Sequence, residues 1–202
     1  MTNILYDKVF GSNLDNNKIF LQTEEEQVSY KNFTILTNKI ANILVSQGLN
    51  PGDRVAAQVE KSITQLALYA ATIKAGGVYL PLNTAYTPHE LNYFISNARP
   101  KIIVTAKDTM GDLEKLFSSA QAIFLTLNAD GTGSLGDKLN IAEANFKAAS
   151  RSEQDLAVIM YTSGTTGKSK GAKLTHQNLY SNCGILEKSW EFSKNDVLLH
   201  ML

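Results

Sequence analysis

The 202-residue sequence holds one cysteine, Cys183. That excludes an intrachain disulfide and a cysteine-based zinc site. Neither sign of charge is in excess: 19 Lys and Arg balance 19 Asp and Glu. Nucleic-acid binding normally draws on a basic surplus, so nucleic acid is not expected as a partner. No apolar run approaches the ~20 residues that a membrane-crossing helix needs. The start, MTNILYDKVFGSN, lacks the basic head and long apolar stretch of a secretion signal. Four prolines and 13 glycines are too few for a disordered chain. The three histidines share no ligand spacing, so no structural metal is expected. What is present is ordinary: 44% hydrophobic and 19% charged residues, the composition of a cytoplasmic globular protein. A chain of this length has material for a large core, burying roughly 70% of its extended surface.

The apolar pattern alternates between strand and helix, without internal repeats. Lys18 to Leu21 is strand-like, and Glu24 to Glu26 read as a solvated acidic turn. Ser29 suits a helix N-cap, followed by an apolar stripe at Phe33, Leu36, Ile40, Ile43 and Leu44, with Gly48 as the stop. Pro51-Gly52-Asp53 is a turn, and Arg54 to Val59 a strand. Ser62 and Gln65 have capping-box spacing before a helix that reaches Lys74 and ends at Ala75-Gly76-Gly77. Val78 to Leu80 is a short buried strand. Thr87-Pro88-His89-Glu90 opens a second capped helix ending near Arg99. Lys101 to Thr105 is a strand, Met110 to Phe117 a helix, and Ala122 to Thr126 a strand. Four strands separated by three helices between Arg54 and Thr126 imply an α/β fold with a doubly wound, largely parallel sheet. Such sheets bind ligands at the carboxyl ends of their strands.

Asn128 to Gly136 reads as a surface loop. Leu156 to Tyr161 then reads as a buried strand, Thr162 to Lys173 as a loop, and Thr175 as the cap of a helix to about Lys188. Asp196 to Leu202 turns apolar again, in the manner of another buried strand. His89 is assigned a structural role and His176 a structural or near-surface one, and His200 is read as a satisfied core histidine in preference to one facing an acyl site. Cys183 reads as a small packing residue, and Trp190 and Phe192 as packing for the turn after the last helix.

The stretch Thr162-Ser163-Gly164-Thr165-Thr166-Gly167-Lys168-Ser169-Lys170-Gly171 carries the chemistry. Four hydroxyls fall within five residues, three glycines let backbone N–H groups approach an anion, and Lys168 and Lys170 can pair with it. A polyphosphate offers the matching acceptor oxygens and negative charge. A flexible linker has similar composition, but it need not follow an apolar strand or end in Lys-x-Lys. A Walker A loop needs glycine five positions before Gly167, where this chain has Thr162. A P-loop phosphotransferase is therefore disfavoured.

Tyr161 to Gly171 resembles the phosphate loop of the adenylate-forming superfamily, the acyl- and aryl-CoA synthetases and peptide-synthetase adenylation domains. Val28-Ser29-Tyr30-Lys31-Asn32-Phe33 is similar to the family's early helix-start motif, and Ile73 through Asn83 to its second core motif. Gly52-Asp53-Arg54-Val55 and Pro81 through Thr87 look closest to malonyl-CoA and related short-chain acyl-CoA synthetases. The resemblance implies that Thr162, Ser163, Gly164, Thr165, Thr166, Gly167 and Lys170 contact the β- and γ-phosphates of ATP, with Thr165 near magnesium. It implies a small carboxylate as substrate and coenzyme A as thiol acceptor. Ser169 stands where the family often has proline. Family members run on for several hundred residues, so residues 1–202 are expected to be the N-terminal part of the large domain, without the small C-terminal domain. No catalytic residue is assigned, and the chain alone is expected to be inactive as a ligase. The alternatives are a non-catalytic ATP- or phosphate-binding fragment and an amino-acid adenylation domain.

A doubly wound sheet open at one edge exposes apolar surface and unpaired backbone. The chain is therefore expected to self-associate in solution. Sedimentation velocity tests this, and a single monomeric boundary across concentrations would contradict it.

Overall fold

The computed structural model describes residues 3–11, 16–118, 121–162 and 169–199. Helix α1 (Ile4–Val9) precedes a small antiparallel pair, β1 (Ile19–Gln22) and β2 (Gln27–Ser29). Ser29 ends that pair and caps α2 (Tyr30–Ser46), accepting a bond from the Asn32 N–H. Phe33, Ile40, Ile43 and Leu44 form the buried stripe of α2, as their spacing requires. There follow β3 (Arg54–Gln58), α3 (Ile63–Lys74), β4 (Val78–Pro81), α4 (Pro88–Ala98), β5 (Ile102–Thr105), α5 (Lys107–Leu116) and β6 (Ile123–Thr126). Helix α6 (Ser134–Leu139), β7 (Leu156–Thr162), β8 (Lys170–Thr175) and α7 (His176–Ser189) complete the described elements.

The main sheet has the order β6-β5-β3-β4-β7-β8. Every neighbouring pair is parallel except the last, β7 with β8. This is the α/β, largely parallel architecture expected. Alternate strand residues face opposite layers. Val55, Ala57, Ile102 and Val104 pack with α1, α2, α3 and α6, whereas Ala56, Leu80 and Ile103 pack under α4 and α5. The chain steps outward from β3 to β4, then crosses back to β5 on the other side of β3, which places α3 and α4 on opposite faces.

Several local expectations are corrected. Lys170 to Thr175 is a strand rather than part of a loop running into the helix. Its side chains are mostly exposed on both faces, so it carries no apolar alternation to read. Leu156 to Tyr161 is a strand, but only Ala157 and Val158 are buried, because its outer neighbour β8 is a thin edge. Helix α5 begins three residues before Met110, and α6 starts inside the expected 128–136 loop. Gln65 does not reach back to complete a capping box: its Nε2 donates to the Tyr79 hydroxyl at 2.8 Å. Residues 196–199 form no strand, and Val197 is 95% exposed. Cys183 is exposed rather than packed. Trp190 and Phe192 contact each other edge-on at 5.6 Å and remain largely exposed.

The α3–β4 joint is built around Lys74. Gly76, at φ +80°, takes the left-handed conformation that ends the helix. Lys74 is 5% exposed, and its ammonium donates to Asn38 Oδ1 and lies 4.6 Å from the Tyr6 ring centre. Burial pushes its pKa down to about 8, against the opposing pull of the Asp7 carboxylate. Between pH 8 and the ordinary 10.5 the unfolded chain still holds this proton and the folded chain has shed it, so stability rises with pH across that window. Relative to Lys74→Met, which cannot titrate, the native protein should gain roughly 2–3 kcal/mol over that interval, read from urea midpoints at its two ends.

Candidate functional site

Strand β7 runs parallel to β4, so it delivers Thr162 to the carboxyl end of the sheet, where doubly wound folds place their ligands. The chain returns antiparallel through β8, with Tyr161 opposite Gly171 and Thr162 opposite Lys170 in the last rung. Of the expected phosphate-contacting residues, Thr162 and Lys170 are thus brought together as cross-strand partners, both exposed. Ser163, Gly164, Thr165, Thr166 and Gly167 lie outside the described residues, as does the expected magnesium contact at Thr165. Alternation puts Thr162 and Lys170 on one face of the hairpin and Tyr161 and Gly171 on the other.

The face carrying Tyr161 packs on α4. Its ring lies 4.4 Å from Phe94 and 6.1 Å, edge-on, from Tyr93. The Tyr161 hydroxyl donates to Asn97 Oδ1 at 2.7 Å and lies 3.4 Å from the Phe94 carbonyl oxygen. Partial burial, reinforced by Tyr93, holds the Tyr161 phenol above its ordinary pKa, so it remains a neutral donor. Tyr93 donates to the Ser169 carbonyl oxygen at 3.0 Å. A cleft of about 640 Å³ lies beside this contact, bordered by His89, Asn92, Tyr93, Asn97 and Ser169. Tyr93 and Asn97 drew no attention in the sequence. Their four-residue spacing marks one helix face, but nothing in a single sequence says which strand that face meets.

Gly171 is where the hairpin and Tyr161 come closest. A Cβ there would sit 3.2 Å from Tyr161 Cε1 and 3.3 Å from Ile159 Cγ2. Close approach, not a special φ, therefore calls for glycine.

His176 opens α7 beside the capping box of Thr175 and Asn178, and its N–H donates to the Asp155 carbonyl at 3.0 Å. Its side chain is fully buried, and neither ring nitrogen has a hydrogen-bond partner among the described residues. Burial, with Arg151 adding to it, keeps the ring below its ordinary pKa, despite Asp155. That is the structural role expected of it. His89 lies exposed in the first turn of α4, and His200 falls outside the described residues. Among the described residues no three His, Cys, Asp or Glu side chains gather as a metal site. None of their helices is long and apolar enough to cross a membrane.

Replacing Gly171 with valine forces the hairpin off the Tyr161 ring. Gly171→Val should destabilise the fold by about 1–2 kcal/mol in urea unfolding. An unchanged midpoint would show that Tyr161 moves aside freely.

Comparison with known proteins agrees with this geometry. MatB from Rhodopseudomonas palustris superposes with a TM-score of 0.95 in both its apo and its ATP-bound crystal structures, at 45% and 46% identity. In both, all of this chain aligns with 40% of MatB. The long-chain-fatty-acid–CoA ligase FadD13 of Mycobacterium tuberculosis is 29% identical over 155 residues, 77% of this chain and 31% of that protein. Tyrocidine synthase 2 of Brevibacillus parabrevis is 32% identical over 157 residues, 77% of this chain and 4% of that protein. The chain thus spans well under half the length of each relative. The family described as AMP-binding enzyme matches residues 12–202. With the hairpin at the carboxyl end of a doubly wound sheet, and a family match over nearly the whole sequence, this chain belongs to the AMP-binding enzymes.

Proposed function

We propose that this chain supplies the nucleotide-phosphate grip of an ATP-dependent acid–thiol ligase acting on malonate or a similar short carboxylic acid. The observation that carries the reading is the pairing of Thr162 with Lys170 at the mouth of the β7–β8 hairpin. It sets a hydroxyl and an ammonium side by side at the two ends of a segment rich in glycine and hydroxyl residues. That donor set fits a polyphosphate: N–H and O–H groups for its oxygens, and a cation for its charge. The ATP bound by MatB, a relative at 46% identity, supports the same ligand here.

In this reading Thr162, Ser163, Gly164, Thr165, Thr166, Gly167 and Lys170 hold the β- and γ-phosphates, and the Thr165 hydroxyl faces the magnesium that accompanies ATP. The substrate carboxylate forms a bond to the α-phosphorus as the bond to pyrophosphate breaks. The loop offsets the charge that develops on that leaving group. The thiol of coenzyme A then attacks the acyl carbonyl and AMP leaves. No residue of this chain is assigned a proton-transfer or nucleophilic role. Residues 1–202 are the N-terminal part of the large domain of such a ligase. They contribute the nucleotide grip, in the cytoplasm, and ligation draws as well on an acyl pocket and a C-terminal domain. Similarity to tyrocidine synthase 2 keeps an amino-acid adenylation domain as the second reading.

Calorimetry of this chain with Mg·ATP tests the grip. Replacing Thr165, Thr166 and Lys170 together by alanine should weaken binding more than about tenfold, because charge-assisted hydrogen bonds are lost. Equal binding by the variant would overturn the reading. In a longer ligase that includes these residues, pyrophosphate released with malonate but not with amino acids separates the two substrate classes.

A further inference from the structure

Lys74 is a buried cation without an ion pair. It is 5% exposed, and its ammonium meets only Asn38 Oδ1 and the Tyr6 ring. Among the described residues no carboxylate lies within ion-pair distance of it. The Asp7 carboxylate acts on it at longer range and accepts the Asn3 backbone N–H instead. Lysine is seldom buried this far unless it is paired, and its depressed pKa records the cost. A neutral amide oxygen and a ring face leave its charge without a counter-ion.

Lys74 and Asn38 line a cleft of about 600 Å³. Helix α2 adds Lys31 on the same face as Asn38, and the segment 144–147 adds Asn145, Phe146 and Lys147. Side chains of α2 hold that segment in place. Asn38 Nδ2 donates to the Ala144 carbonyl at 2.7 Å, and Asn42 Nδ2 to those of Glu143 and Asn145 at 2.9 Å. Among the described residues the cleft has no acidic lining, and neither Lys31 nor Lys147 has an ion pair. Three ammonium groups therefore border one cleft. Its base is built of buried polar groups, since Asn38 is only 8% exposed, while Lys31 and Lys147 stand exposed at its rim.

We propose that this cleft binds a diphosphate group, free or as part of a nucleotide, with Lys74 and Asn38 at its base and Lys31 and Lys147 at its rim. A monoanion balances one of the three charges. A diphosphate carries several negative charges and enough acceptor oxygens to meet all three lysines at once. It also supplies the counter-charge that Lys74 lacks. The cleft is separate from the hairpin. Lys74 ends α3 just before β4 begins, toward the amino ends of the parallel strands, whereas Thr162 emerges at their carboxyl ends. The inference is therefore independent of the phosphate grip.

The test uses the 202-residue chain with Thr165, Thr166 and Lys170 replaced by alanine, so that the hairpin does not contribute. Calorimetry with inorganic pyrophosphate, and separately with ADP, both without magnesium, should show saturable binding at one site. Lys31→Gln combined with Lys147→Gln, at exposed positions, should weaken it about five- to thirtyfold. Lys74→Met should weaken it at least as much, which decides the matter should the double variant fold poorly. Amine acylation read by mass spectrometry locates the site: pyrophosphate should slow modification of Lys31, Lys74 and Lys147 and leave Lys61 and Lys194 unchanged. Tighter binding of ADP than of pyrophosphate assigns the cleft to a nucleotide, with its base against Phe146, and the reverse order assigns it to the free anion. No saturable binding of either anion overturns the proposal. So does equal binding in the variants, or binding that protects all lysines alike.

Discussion

Burial of β3 between two apolar layers is the constraint from which the rest of this structure follows. Val55 and Ala56 are fully buried and Ala57 is 3% exposed, although their side chains alternate between opposite faces of the sheet. A strand covered on both faces requires helices on both sides. It gets them only if the chain steps to β4 through α3 and then crosses back to β5 through α4. The small side chains of Ala56 and Ala57 let those helices approach closely. Strands β6 and β7 add to this frame in parallel, and so the carboxyl ends of all five parallel strands open on one side.

The hairpin takes its position from the same frame. Strand β7 is anchored where Ala157 and Val158 are buried, and it emerges toward Thr162 with diminishing cover. What steadies its outer half is the aromatic contact of Tyr161 with α4, the helix returned to that face by the crossover. Gly171 allows the returning strand to lie against the same ring.

Much of this was legible in the sequence where local rules suffice. Ser29, Ser62, Thr87 and Thr175 are N-caps because a side-chain oxygen can satisfy an N–H three residues on, and all four do so. The stripe of α2 and the glycine stop after α3 are equally local. Strand β8 was not legible, because an edge strand of lysine, glycine and threonine has no buried face to impose alternation. Exposure of the 197–199 run was not legible either, since three apolar residues in a row read as part of a core strand until the neighbouring elements are placed. Gln65 shows the same limit at one residue: the capping-box spacing is present, but the nearby Tyr79 hydroxyl captures its amide.

By itself, the sequence determined the order and type of the central elements and the donor groups present in the 162–171 segment, because caps, periodicity and composition depend on residues close together in the chain. The tertiary structure alone decided that Thr162 and Lys170 stand opposite each other, that Tyr93 and Asn97 of α4 meet Ser169 and Tyr161, and that Lys74 is buried against Tyr6 and Asn38. These pairings join residues that are 8 to 76 positions apart. They arise from how strands register and helices cross, and no local pattern encodes that.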